Sequence, residues 1–235
     1  MFHFSVIVPT CDRPSLLSRA VASVKSQSLP GVELIVVNDG RQITGPPAAT
    51  MIETGGYRGH VVARNMAIAA ARGDYIAFLD DDDYWIDGSH LARAAEQLSK
   101  ASGLYHAAGL MTFDIGSPPV LFDKTADAAS LAKDNTILVS TVCYPRALHA
   151  SLGTFDETLT YYADWDWYLR VARAGIPIFH SAIAAAEILQ HTGNMSGICA
   201  RGARRQGLDA LSAKHGLGNL PLKTHLSLVS ENPGV

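Results

Sequence analysis

Four consecutive aspartates, Asp80 to Asp83, are the residues of this chain with the clearest capacity for chemistry. Like charges at this spacing repel one another, and removing them from water is costly unless protons or a cation compensate. Oxygen ligands suit Mg²⁺ and Mn²⁺, which commonly share their coordination with phosphate groups. The run therefore indicates a Mg²⁺ or Mn²⁺ site. The alternative is a solvated acidic turn before a helix starting near Asp87, since carboxylates favour helix N-termini.

A second candidate carboxylate is Asp164, in a segment rich in aromatic residues. Trp165 and Leu169 belong to an apolar stripe at helical spacing, which predicts a helix that begins near Asp164. Asp166 and Arg170 are four residues apart and are expected to form an exposed ion pair. Spacing alone leaves two roles open for Asp164, a helix N-cap or a catalytic group.

Three apolar runs rich in β-branched residues predict the strands that position these groups. The runs are Phe4 to Val8, Val32 to Val37 and Tyr75 to Leu79. Polar residues follow each run: Thr10 with Asp12, then Asp39, then the four aspartates. A helical pattern between the first two runs makes a βαβ unit, which implies parallel strands. Because ligands of open α/β sheets sit outside the carboxyl ends of the strands, we expect one cleft along this edge.

The remaining pattern predicts an α/β fold, with a mixed, mainly parallel sheet flanked by helices and a smaller α+β subregion. Helices are expected at 61–72, 87–101 and 198–216, and further strands at 104–113, 120–122 and 141–144. The last helix carries Arg201, Arg204 and Arg205, for which a solvated surface is favoured over contact with a substrate. Without a repeat or a clear linker, the chain is interpreted as one continuous domain with halves 1–102 and 103–235.

Composition excludes several classes of protein. The 235 residues include 48% hydrophobic and 17% charged residues with a net charge of −3, so non-specific nucleic-acid binding is not expected. Three widely spaced cysteines suggest reduced thiols rather than a disulfide framework. No signal peptide or transmembrane segment is recognisable, so a cytoplasmic protein is expected, with peripheral contact at the inner face of a membrane left open.

Six short motifs, in this order and spacing, are similar to those of the inverting family-2 nucleotide-sugar glycosyltransferases of the GT-A fold. They are Val-Ile-Val-Pro-Thr (6–10), Val-Val-Asn-Asp-Gly (36–40), Ala-Arg-Asn-Met-Ala-Ile (63–68), Phe-Leu-Asp-Asp-Asp-Asp (78–83), Gly-Thr-Phe-Asp-Glu (153–157) and Asp-Trp-Asp-Trp-Tyr-Leu-Arg (164–170). The resemblance runs from Phe4 to about Ser196. It implies a Rossmann-like GT-A fold in which residues 1–102 bind the nucleotide-sugar and residues 103–235 bind the acceptor and carry the catalytic base.

The resemblance also implies a donor site. Pro9, Thr10 and Asp12 would hold the base and ribose of the nucleotide, and Asp39 would accept a hydrogen bond from the base. Arg64 would lie near the sugar or diphosphate of the donor rather than on an exposed helix surface. A UDP-sugar is the expected donor, although the sequence does not separate UDP from GDP or dTDP.

The metal site and the catalytic base follow from the same resemblance. Asp80 would contact ribose and metal, Asp82 would bind Mn²⁺ or Mg²⁺, and the other two aspartates would support them. His191 stands where many members carry a histidine that faces the metal or diphosphate, although a lone histidine is often structural. Asp164 would be the general base that takes the proton from a hydroxyl of a glycan, lipid-linked or small-molecule acceptor.

Two positions depart from the family pattern: Ala163 replaces an acidic residue before the base, and Arg41 replaces a serine after Asp-Gly. Both leave the identity of the donor open. Four aromatic residues near the base could offer a stacking surface to an acceptor sugar, although packing is the safer role for Trp165. They are Tyr161, Tyr162, Trp165 and Trp167.

Three alternative functions compete with this interpretation. A sugar nucleotidylyltransferase normally has a glycine-rich loop after its first strand, and residues 9–13 contain no glycine. A glycoside hydrolase would use two carboxylates but would not need the βαβ start. A catalytically inactive domain that binds a nucleotide-sugar or a partner is the third alternative, and the intact Asp80, Asp82 and Asp164 count against it.

Overall fold

The computed structural model describes residues 3–113, 117–190 and 201–230. The strands are β1 Phe4–Thr10, β2 Val32–Asn38, β3 Thr50–Glu53, β4 Tyr75–Phe78, β5 Tyr84–Trp85, β6 Leu104–Phe113, β7 Val120–Phe122, β8 Cys143–Pro145 and β9 Ile178–Gln190. The helices are α1 Pro14–Lys25, α2 His60–Ala70, α3 His90–Lys100, α4 Ala128–Leu131, α5 Leu148–Leu152, α6 Ala163–Arg173, α7 Arg201–His215 and α8 His225–Ser230.

The described strands form one mixed sheet. Its order is β3-β2-β1-β4-β8-β6-β9-β5, with β7 paired to β6. Strands β1 to β4 are parallel, and β6 runs parallel to β9. The short strand β8 is antiparallel to both β4 and β6, so it joins the two parallel groups through a continuous hydrogen-bonded ladder.

The central strands are buried on both faces, as parallel strands between two helix layers must be. Ile7, Ile35 and Phe78 face a core that α2, α6 and α7 cover. Val6 and Val36, which alternate with them, face a second core under α1 and α3. Packing on both faces therefore fixes the carboxyl end of each strand. The loops that follow the strands start from these fixed positions.

The sequence predicted this architecture correctly in its first half, where a mixed, mainly parallel sheet flanked by helices is confirmed. The helix expected from Asp87 begins at His90, and the strand expected at 141–144 is a 3₁₀ turn, Val139–Thr141, followed by β8. The long strand β9 was not predicted. The division into halves 1–102 and 103–235 stays a prediction, and none of the described helices is long and apolar enough to cross a bilayer.

Candidate active site

A cavity of about 690 Å³ opens at the carboxyl ends of β1, β2 and β4. Its walls include most of the residues that the sequence singled out, drawn from both halves of the chain. Those residues are Pro9, Thr10, Asp39, Arg64, Asp80, Asp81, Asp82, Asp83 and Asp164. The expected cleft along one sheet edge is therefore present. His191 lies outside the described residues.

The run Asp80–Asp83, here called the acidic cluster, forms a tight turn directly after β4. The backbone N–H of Asp83 donates to the carbonyl oxygen of Asp80 at 3.1 Å, which folds the turn back on itself. One carboxylate oxygen each from Asp80, Asp82 and Asp83 lies within 4.8 Å of the others. Three hard oxygen ligands at this spacing fit Mg²⁺ or Mn²⁺. Asp83, which the sequence placed in a supporting role, joins the candidate ligands.

Asp81 is not among these candidate ligands and holds the turn against β1. Its side chain is buried, with the Thr10 hydroxyl donating to Oδ2 at 2.7 Å and the Arg13 guanidinium 2.6 Å from Oδ1. Arg13 also reaches Asp82 Oδ2 at 2.7 Å. Burial outweighs these partners and raises the pKa of Asp81 to about 6. Arg13 was not predicted, although a cation three residues beyond Thr10 at the same sheet edge was a usable signal.

Asp83 ties the acidic cluster to the second half of the chain. Its Oδ2 accepts the Ser140 hydroxyl at 2.5 Å, and its Oδ1 accepts the backbone N–H of Leu189 at 3.1 Å. The same Ser140 oxygen accepts the backbone N–H of Asp80 at 3.1 Å. Burial, followed by the charges of Asp82 and Asp80, raises the pKa of the Asp83 carboxyl. Ser140 carries no motif in the sequence, so only the fold reveals it.

Arg64 is buried on α2 rather than exposed on a helix surface. Its Nη2 lies 2.5 Å from Asp80 Oδ1, and its guanidinium sits above the Phe78 ring. Burial opposes the charge, but the carboxylates of Asp80 and then Asp164 outweigh it and raise the pKa of Arg64. Arg64 therefore lies between the acidic cluster and the opposite wall of the cavity.

Asp39 organises the loop that leads into α2. Its Oδ1 accepts the backbone N–H of Arg58 at 2.7 Å and the hydroxyl of Thr54, and its Oδ2 accepts the backbone N–H of Gly59 at 2.7 Å. Three of its roughly four acceptor positions are thus used, which leaves room for about one further donor. The expected contact with a nucleotide base stays a prediction that this geometry permits.

Asp12 lies on the solvent side of the same loop, outside the cavity wall. It adopts a left-handed backbone with a φ of 56°. Its Oδ1 accepts the backbone N–H of Arg41 at 2.8 Å, and its Oδ2 accepts the Tyr57 hydroxyl at 2.8 Å. A Cβ at Gly40 would lie 2.5 Å from Asp12 Oδ1, so the Asp-Gly pair leaves space for this contact.

Asp164 lies in the first turn of α6 and faces the cavity. The helix begins at Ala163, and its N-cap is Tyr162, whose φ of 66° turns the chain sharply into the helix. The N-cap alternative for Asp164 is therefore wrong. Its Oδ2 accepts a hydrogen bond from Asn135 Nδ2 at 3.2 Å. Asn135, another residue that sequence motifs did not reveal, restrains the carboxylate from the side.

The pair Asp166 and Arg170 is not exposed, contrary to expectation. The Asp166 side chain is 0% exposed and lies 2.9 Å from Arg170, 2.7 Å from Lys214 and 2.8 Å from His215. The spacing of four residues was correct, but α7 packs over this face of α6 and removes it from water. Asp164 and Asp166 thus serve opposite faces of one helix.

The second half of the chain forms the remaining wall, from α6, α7 and the segment 221–228. Tyr161, Tyr162 and Trp165 line the cavity, whereas Trp167 is fully buried away from it and packs on Tyr144 and Phe155. Trp167 therefore cannot stack on an acceptor. Arg204 is 6% exposed and lines the cavity, so the solvated surface expected for it is also wrong.

The sequence of this chain also matches known proteins. The Glycosyl transferase family 2 model matches residues 5–115. The uncharacterized glycosyltransferase YwdF of Bacillus subtilis is 32% identical over 240 residues, which cover 97% of this chain and 89% of YwdF.

Solved structures identify the fold. TarS 1–349 of S. aureus in complex with UDP-GlcNAc matches with a TM-score of 0.73 at 19% identity, covering 98% of this chain and 71% of that chain. The mannosyltransferase PcManGT of Pyrobaculum calidifontis, in complex with GDP-Man and Mn²⁺, matches with a TM-score of 0.66 at 19% identity, covering 93% and 66% respectively. The expected GT-A architecture is confirmed.

Proposed function

Because the chain belongs to glycosyltransferase family 2, we propose that its cleft transfers a sugar from a nucleoside diphosphate donor to an acceptor hydroxyl, with inversion at the anomeric carbon. A UDP-sugar is the first donor to test. One observation carries the proposal: a set of carboxylates that could hold a cation and a separate carboxylate, Asp164, line the same cavity from the two halves of the chain.

The donor would bind along the carboxyl ends of β1, β2 and β4, with its diphosphate at the acidic cluster. Asp80, Asp82 and Asp83 would hold Mg²⁺ or Mn²⁺, which neutralises the charge on the leaving diphosphate when it is bound. Arg64 keeps Asp80 in place through its 2.5 Å contact. The structural neighbours bound to UDP-GlcNAc and to GDP-Man with Mn²⁺ support this class of donor and ion.

Asp164 would act on the acceptor from the opposite wall. It takes the proton of the attacking hydroxyl while the new C–O bond forms, and the bond between the anomeric carbon and the diphosphate oxygen breaks. The electron pair of that bond leaves with the nucleoside diphosphate. Attack from the face opposite the leaving group inverts the anomeric carbon. The hydrogen bond from Asn135 orients Asp164, and holding both substrates in line supplies much of the acceleration.

The donor site is tested by calorimetric titration with UDP, GDP and dTDP, each with Mn²⁺ and with EDTA. We expect one nucleotide to bind in a metal-dependent way and Asp82→Ala to weaken that binding by about tenfold or more. Asp209→Ala is the matched control, because Asp209 is an exposed helix aspartate that does not line the cavity. Failure of all three nucleotides to bind a folded sample would refute the donor site.

The base is tested with Asp164→Asn, which keeps the size of the side chain but removes its charge. Transfer from the donor identified above should fall by about 10²- to 10⁴-fold, since that is the usual contribution of a general base. Nucleotide affinity should stay within about twofold of the parent protein, because Asp164 does not belong to the candidate metal ligands. Nucleotide binding without transfer or donor hydrolysis by the parent protein would instead favour the inactive domain, and retention of the donor's anomeric configuration would contradict inversion.

A further inference from the structure

The acidic cluster has a cationic partner that the proposed mechanism does not use. Arg13 lies between β1 and α1, and its side chain lines the cavity and is 36% exposed. Its backbone carbonyl oxygen accepts the backbone N–H of Leu17 at 3.0 Å, and Leu17 is buried in the second core. The backbone of Arg13 is therefore fixed at the start of α1, whereas its side chain is partly accessible at the cavity wall.

The guanidinium of Arg13 bridges two aspartates of the acidic cluster. Nη2 lies 2.6 Å from Asp81 Oδ1, and Nη1 donates to Asp82 Oδ2 at 2.7 Å. Asp82 is one of the candidate metal ligands, whereas Asp81 is not. Because arginine stays charged in proteins, a permanent positive charge is in direct contact with a carboxylate that would hold Mg²⁺ or Mn²⁺.

Two other arginines near the acidic cluster are held differently. Arg64 pairs with Asp80 at 2.5 Å, and its side chain is only 8% exposed. Arg19 donates through Nη2 to the backbone carbonyl oxygen of Asp82 at 2.8 Å and does not line the cavity. Of these three arginines, only Arg13 combines an ion pair to a candidate metal ligand with a partly exposed side chain in the cavity wall.

This position of Arg13 would affect the two proposed ligands of the donor site in opposite directions. A divalent cation held by Asp82 would lie close to the guanidinium, and like charges at short distance repel each other. Mg²⁺ and Mn²⁺ commonly share their coordination with phosphate groups, so the diphosphate of a donor would lie close to the same guanidinium. The planar N–H fork of arginine suits phosphate oxygens.

We propose that Arg13 couples metal binding to donor binding: it disfavours the cation alone and donates hydrogen bonds to the diphosphate that binds together with the cation. Asp82 then has the cation as its counter-charge, Arg13 has the phosphate, and Asp81 retains the guanidinium at the cavity wall. This inference rests on the proposed glycosyl transfer and adds the residue through which the metal and the donor favour each other.

Two titrations of the full chain separate these effects. Mn²⁺ binding without nucleotide is measured at pH 8 by electron paramagnetic resonance of the free ion, and binding of UDP, GDP and dTDP in the presence of Mn²⁺ is measured by calorimetry. Arg13→Gln removes the positive charge. We expect this variant to bind Mn²⁺ alone about threefold more tightly, because a repulsion is lost. It should bind the preferred nucleotide with Mn²⁺ about tenfold more weakly, because a charged donor to phosphate is lost.

A conservative variant distinguishes coupling from a structural role. Arg13→Lys keeps the charge without the fork, so its affinity for Mn²⁺ alone should stay within about twofold of the parent protein, and its nucleotide affinity should be partly restored. A residue that only braced the turn would instead weaken both ligands in both variants. Arg72→Gln is the matched control, because Arg72 pairs with Glu33 at 2.6 Å and does not line the cavity. Circular dichroism checks that each variant is folded.

Either of two results would overturn the proposal. One is an affinity of Arg13→Gln for Mn²⁺ alone that is unchanged or weaker than that of the parent protein. The other is an unchanged affinity of this variant for the nucleotide in the presence of Mn²⁺. Failure of UDP, GDP and dTDP to bind the parent protein would refute the proposed function and the coupling with it. Nucleotide binding that does not respond to Arg13→Gln would refute the coupling alone.

Discussion

Each aspartate of the acidic cluster has a polar partner, and Arg13 is shared by Asp81 and Asp82. Asp80 pairs with Arg64 and Asp82 with Arg13, while Asp81 and Asp83 lie buried against hydroxyl groups that donate to them. Repulsion within the run is thus relieved by local cations and by protons, before any metal ion enters. A divalent ion at this site would have to compete with both.

Proton release on metal binding follows from this arrangement. Burial raises the pKa of Asp81 to about 6 and also raises the pKa of Asp83, so both carboxyls hold protons at a higher pH than an ordinary aspartate. A bound cation favours the ionised forms, so lowering the pH from 7.5 to 5.5 should weaken Mn²⁺ binding by about threefold or more. Calorimetry in two buffers of different ionisation enthalpy counts the released protons. Asp83→Asn should reduce that count, and equal affinity at both pH values would contradict the prediction.

Helix α6 carries two carboxylates with different roles on its two faces. Asp164 faces the cavity, whereas Asp166, two residues on, receives Arg170, Lys214 and His215. Lys214 also pairs with Asp156 at 2.6 Å. The buried network thereby docks the carboxyl end of α7 on α6, and α7 in turn brings Arg204 to the cavity.

Removing the centre of this network should therefore destabilise the protein. Asp166→Asn removes the buried charge that Arg170, Lys214 and His215 share and should lower the free energy of unfolding by about 3 kcal/mol. Urea denaturation followed by circular dichroism measures the change. The control is Glu96→Gln, which breaks an exposed pair with Lys100 and should cost no more than about 0.5 kcal/mol. Similar losses in the two variants would show that the network is not a major source of stability.

At the scale of the whole molecule, burial keeps two histidines neutral. His90 is fully buried beside Trp85 and Tyr105, and burial lowers its pKa to about 3. His106 lies on β6 beside His180, and burial, followed by the charge of His180, lowers its pKa to about 3 as well. These side chains make folding sensitive to acid.

The sign of this effect follows from the direction of the shifts. Below pH 6.5 His90 binds a proton in the unfolded chain, whereas in the folded protein it stays neutral until about pH 3. Stability is therefore lost as the pH falls through this window. Each such histidine should cost about 1.4 kcal/mol per pH unit. His90→Gln should make the slope of unfolding free energy between pH 6 and 5 shallower by that amount, whereas His3→Asn, at an exposed position, should not. An unchanged slope in His90→Gln would contradict the assignment.

The sequence predicted the first half of the fold because its strands have a clear pattern. The β-branched runs at β1, β2 and β4 are short, apolar and followed by polar residues. Strand β9 lacked such a signal, since alanines and polar residues separate the large apolar residues of Ile178–Gln190, and its pairing with β6 is a tertiary effect.

The candidate site was predictable to the same degree. The aspartates of the cluster were found from residue type and spacing, and Asp164 was chosen as base through the family resemblance, but their partners were not predicted. Ser140 and Asn135 lie in segments without a pattern, and only the packing of the second half brings them to the cavity. The burial of Asp166 was missed because a spacing of four residues says which side chains meet, and nothing about what covers them.

The hydrogen bond from the Leu189 backbone to Asp83 has a consequence for synthesis of the chain. It joins residues 106 positions apart, so the acidic cluster leaves the ribosome long before the strand that completes it. At ordinary elongation rates this interval is about five to twenty seconds. The early βαβ segment can fold during this interval, but Asp83 lacks its hydrogen bond from Leu189 until β9 has been made. The proposed donor site is thus incomplete until the second half of the chain has been made.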